Sequence, residues 1–106
     1  MWLTRSRGDA GFYGEVGEYE VLPGMRLGTY ADLVRAVRES GARRGEIRAA
    51  SGFDGHNDND FVYLPAVQES LRGMGLDALL VSDVMANYEI DTLIVLDKRK
   101  VRAVTA

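Results

Sequence analysis

Cysteine is absent and histidine occurs once, at His56. Disulfides, thiol catalysis and cysteine-ligated zinc are therefore excluded, and one chain cannot build a multi-histidine metal site. No apolar run reaches membrane-spanning length, and the N-terminus has no apolar core of a signal peptide, which implies a cytoplasmic or virion-associated location. Proline is scarce, at 2 residues against 12 glycines, a balance that predicts tight turns between short elements. A basic excess is also missing. The net charge is -3, which disfavours general binding to nucleic acid.

What is present describes one small globular domain spanning residues 1–106. With 46% hydrophobic and 27% charged residues the chain is neither a disordered tail nor a membrane protein, and 106 residues hold a single modest core. The stretches MWLT and EVGEYEVL read as strands, the second ended by Pro23-Gly24. TYADLVRAVRES reads as a helix, with Tyr30, Leu33, Val34 and Val37 on one face, Thr29 as cap and Gly41 as stop. EIRAA adds a helical turn. LPAVQESLRGMG reads as a second long helix, with Pro65 in its first turn and a stripe of Leu64, Val67, Leu71 and Met74. LDALLVSD is then a strand, VMANYEI a loop, TLIVLD a strand, KRK a turn and VRAV a short last strand. Helices grouped between strands predict an α+β fold rather than an alternating α/β one.

Several motifs carry chemistry. Asp54, Asp58 and Asp60 lie in SGFDGHNDNDF and are hard oxygen donors, but the spacing departs from a calcium loop and the composition is that of an exposed loop, so no metal is expected. Lys98, Arg99, Lys100 and Arg102 form a basic cluster that, with Arg43 and Arg44, suits phosphate; the same cluster also reads as a solvated turn. In GEYEVLPG, alternation puts Glu18 and Glu20 on one strand face, as two-carboxylate chemistry requires.

GMGLDALLVSD and IDTLIVLDKRKVRAV resemble the C-terminal part of ADP-ribosyltransferase domains, in particular those of phage and mobile-element polyvalent proteins. WLTRSRGDAGFYG is similar to the second motif of that family's His-Tyr-Glu class, with Trp2, Thr4, Ala10 and Tyr13 at its positions. The resemblance implies a toxin-like NAD-dependent transferase with a small split β-sheet core and two helices packed at its side. It places Trp2, Thr4 and Tyr13 against NAD, and Thr92, with Asp91 beside it, where the family carries its catalytic Glu. A second alignment, to the Arg-Ser-Glu class, places catalysis at Glu20 with Glu18. The chain departs from the pattern in three ways. The strand supplying the ribose-orienting His or Arg has no counterpart, and His56 lies in another part of the chain. Trp replaces the usual Tyr at position 2, and Thr replaces Glu at position 92.

Transfer of ADP-ribose passes through a cation-like ribose, so the site needs a fixed negative charge and a rigid pocket for nicotinamide. The enzyme expectation is thus NAD binding, or mono-ADP-ribosyl transfer by an incomplete site. The alternative is a non-catalytic α+β module, such as a phage structural or regulatory protein. It would contact a protein partner, or a second copy of itself, through an exposed strand edge.

Overall fold

A computed structural model describes residues 2–4, 19–52, 57–85 and 88–103. It is an α+β domain with a four-stranded sheet, a separate two-stranded ribbon, and helices on one face of the sheet. The strands are β1 (Trp2–Thr4), β2 (Tyr19–Val21), β3 (Leu27–Gly28), β4 (Ala78–Met85), β5 (Tyr88–Val95) and β6 (Val101–Ala103). The α-helices are α1 (Tyr30–Ser40), α2 (Gly45–Ser51) and α3 (Pro65–Gly73). Two 3-10 turns, Asp58–Tyr63 and Lys98–Lys100, also lie among the described residues. The sheet order is β1-β5-β4-β3, antiparallel except for the parallel β3–β4 pair, while β2 pairs with β6 in the ribbon.

Helix α1 begins where its sequence says it should. The Asp32 carboxylate accepts the Thr29 backbone N–H at 2.8 Å and the Thr29 hydroxyl at 3.3 Å, satisfying a donor that the first turn leaves open. Gly41 ends the helix at φ 68°, with N–H donation from Gly41 to the Arg38 carbonyl and from Ala42 to the Val37 carbonyl. Of the expected stripe, Leu33 is buried and Val37 packs against the core, joined by the buried Ala36, whereas Tyr30 points outward and donates its hydroxyl to Asp58 at 2.7 Å. In α3 the expected stripe is observed: Leu64, Val67 and Leu71 are buried and Met74 packs beside them. EIRAA belongs to a helix of its own, α2, anchored by the fully buried Ile47.

The core lies between these helices and one face of the sheet. Leu79 and Val81 of β4 and Ile94 of β5 meet Leu33, Ala36, Ile47, Phe61, Val62, Val67 and Leu71. Each large apolar side chain buried here contributes about 1.5–3 kcal/mol. Period-two alternation gives the other face of the same strands to Leu80, Leu93 and Leu3, which are direct neighbours across β4, β5 and β1. Gly28 sits where β3 runs closest to this core. A Cβ there would come within 2.5 Å of Leu76 Cδ1 and 2.8 Å of Leu79 Cδ2.

Two features correct the reading of the sequence. VMANYEI, expected as a loop, lies largely in strands, since β4 runs to Met85 and β5 starts at Tyr88. The segment before α1 contributes β3, whose two residues are too short to show a period. The segment RSRGDAGFYG falls outside the described residues. Among the described residues, no helix is long and apolar enough to cross a membrane.

Candidate functional site

Strand register decides which candidate residues can meet. Trp2 lies opposite Ile94 and Thr4 opposite Thr92, so Trp2, Thr4 and Thr92 share the helix-covered face of the sheet. Trp2 packs against the core, and its indole stacks on Tyr63 with ring centres 5.7 Å apart and planes 21° off parallel. Thr92 is fully buried, next to Val81 on β4 and Thr4 on β1. Asp91, one residue earlier, is exposed and belongs to the opposite face, next to Ser82. Tyr13, the third residue placed against NAD, lies outside the described residues, as does Glu18.

Glu20 is elsewhere. It lies on the β2–β6 ribbon directly opposite Arg102, and the two side chains form an ion pair that raises the Arg102 pKa, chiefly through the hydrogen bond between them. The three carboxylate-position candidates are thus dispersed: Thr92 inside the core, Asp91 on the outer face, Glu20 on the second sheet. The described structure brings no carboxylate beside Trp2 from among them.

Asp58, from the predicted loop, takes structural partners. Asp58 accepts Tyr30 Oη at 2.7 Å and pairs with Arg44, whose guanidinium also lies 5.2 Å above the Phe61 ring. The Arg44 hydrogen bond and then that of Tyr30 hold the Asp58 pKa below the ordinary carboxylate value, and the same contact raises Tyr30. Asp60 is half-buried in the same 3-10 turn, while Asp54 and His56 lie outside the described residues.

Sequence reasoning missed Asn59, in the middle of that acidic stretch. It is 2% exposed and donates its side-chain amide to the Ser82 carbonyl at 2.9 Å, tying the 3-10 turn to β4. Its own N–H goes to Asn57 Oδ1 at 2.9 Å. An Asn-Asp run reads as loop by composition, and no local signal marks one of its members as buried.

Two surfaces remain that the core does not use. The outer sheet face presents Leu3, Leu80 and Leu93 in a row, with Leu27 of β3 one step along; Leu80 is 43% exposed and Leu27 52%. Strand β1 borders this face as an edge strand, with β5 its only partner among the described strands. The second surface is a cleft at the end of the sheet where β3 and β4 begin. No family model, curated protein or solved structure matches the chain.

Proposed function

We propose that this chain is a non-catalytic α+β contact module that associates with a second copy of itself through the outer leucine face. The observation that carries the reading is the Leu3–Leu93–Leu80 row, apolar across three strands, with Leu80 43% exposed. A twofold axis brings the same patch of a second copy against it, so leucines meet leucines. Exposed apolar patches on soluble domains commonly mark such contacts.

The rival reading is NAD binding with mono-ADP-ribosyl transfer. It draws on Trp2, Thr4 and Thr92 sharing one sheet face. Neither Asp91 nor Glu20 lies on that face, and one side of the Trp2 ring is taken by Tyr63. Removing a charge of this kind from a transfer site typically costs a factor of about a hundred to a thousand in rate.

Sedimentation equilibrium over a concentration series tests the module, with Leu80→Lys as the variant because Leu80 is exposed and outside the core. The expected result is a dimer that dissociates on dilution and is lost in Leu80→Lys while the circular dichroism spectrum is kept. A monomer at every concentration overturns the reading. A ligand-observed NMR titration with NAD separates the rival: saturable binding that Trp2→Ala removes would favour the enzyme.

A further inference from the structure

At the end of the sheet where β3 and β4 begin and β5 ends, the chain forms a cleft of about 410 Å³. Its walls come from the residue before β3, the end of α3, the turn after α3, and the 3-10 turn Lys98–Lys100. Four cations line it, Arg26, Arg72, Lys98 and Arg99, with two carboxylates, Asp77 and Asp97. We infer that this cleft binds a small phosphate-bearing ligand, held by Arg26, Arg72 and Lys98.

The carboxylates are already engaged. Asp77 Oδ2 accepts the Arg26 backbone N–H at 2.8 Å, and Asp97 receives Arg99 through Nε at 2.9 Å and Nη2 at 3.0 Å. The other cations form no ion pair among the described residues. Arg72 spends one N–H on the Leu96 carbonyl at 3.2 Å, and the Arg26 and Lys98 side chains have no hydrogen bond or ion pair among the described residues. Cations thus converge, with a local excess of positive charge, in a chain whose net charge is -3. Their mutual repulsion is unfavourable until an anion enters. A planar guanidinium fork matches phosphate oxygens, and the lysine adds a point charge.

The backbone makes the cleft rigid. Asp77 and Ala78 N–H groups donate to the Arg26 carbonyl at 2.8 and 3.3 Å, and Leu96 and Asp97 N–H groups donate to the Asp77 carbonyl at 2.9 and 3.0 Å. The carbonyls ending α3 would oppose an anion, but those of Ser70, Leu71 and Arg72 accept N–H groups from Met74, Gly75 and Leu76. Gly75, at φ 80°, lets the Arg26 guanidinium lie against the main chain: a Cβ there would be 3.0 Å from Nη1. The volume suits a ligand of mononucleotide size or smaller.

The test is an amide-shift NMR titration of the full chain with inorganic pyrophosphate, and in parallel with ADP, against sodium chloride at equal ionic strength. Saturable shifts confined to Gly75, Leu76 and residues 96–99 are expected. Tighter ADP binding assigns a nucleotide; equal binding assigns the phosphate groups alone. Arg26→Gln and Lys98→Gln should each weaken binding by about tenfold, the usual loss for one charge-assisted hydrogen bond, while Arg38→Gln on α1 leaves it unchanged. Absence of saturable shifts at millimolar pyrophosphate overturns the proposal. So does an unchanged titration in Arg26→Gln, or a response only to a single-stranded oligonucleotide.

Discussion

The two faces of the central hairpin are built from the same strands and have opposite characters. Leu79, Val81, Thr92 and Ile94 face the helices and are buried, while Leu80, Leu93 and Asp91 alternate with them on the opposite face, where Leu80 and Asp91 are exposed. A shift of one residue in register would exchange the two sets. The difference teaches that the position resembling a catalytic one, Thr92, belongs to the side that holds the fold together, whereas the outward side is where the chain can meet something else.

The comparison breaks most sharply at Thr92. Thr92→Glu places a carboxylate in the core, where burial keeps it protonated. At pH 7 the cost should be at least about 4 kcal/mol, the equivalent of holding a carboxyl roughly three units above its unfolded pKa. The folded pKa is raised, so part of this loss returns as the pH falls toward about 4, where both states are protonated. Urea melts at two pH values would show it; equal stability at both would place Thr92 outside the core. Next come the neighbours Leu79 and Leu80. Leu79→Ala should lose about 2–5 kcal/mol and Leu80→Ala stay within about 0.5 kcal/mol, measured as shifts in the chemical denaturation midpoint. Similar losses for both would mean that the outer face is covered in solution.

Asn59→Ala sharpens the same contrast from the helical side. It leaves the Ser82 carbonyl without its side-chain donor, and about 1–3 kcal/mol should be lost. On the exposed ribbon, Glu20→Gln should cost only about 0.2–1 kcal/mol, a difference that added salt erases. The smallest effect is a titration. Arg99 holds the Asp97 pKa down to about 2, so the stabilising contact is intact above about 3.9 and is lost as pH falls through about 2. In a carboxyl-carbon NMR titration, Arg99→Gln should return Asp97 toward the ordinary value.

Elements with local signals were legible in the sequence. Helix α1 announces itself through Thr29, Asp32 and Gly41, and α3 through Pro65 and its apolar stripe. The α+β class follows from their order. The antiparallel pairing of β4 with β5 through Met85 and Tyr88 was not legible, because VMANYEI has neither a glycine nor a regular alternation. Nor was the pairing of β2 with β6 or the position of β3, since two- and three-residue strands carry no period and their partners are set by tertiary contacts. Of the candidate site, the alternation of Asp91 and Thr92 was readable from strand geometry alone. The separation of Glu20 from both, and the gathering of Arg26 and Arg72 with Lys98 and Arg99, depend on contacts between distant segments.

Those distant contacts also set the order in which the molecule can assemble. Trp2–Thr4 pairs with Thr92–Ile94, and Tyr19–Val21 with Val101–Ala103. Pairing of β1 and β2 must therefore wait for β5 and β6, whereas α1, α2 and α3 lie closer together in the chain and can meet earlier. Closing such long loops is entropically costly before any contact rewards it. The helical layer is therefore expected to gather first, with the β1 edge and the ribbon added in one late step.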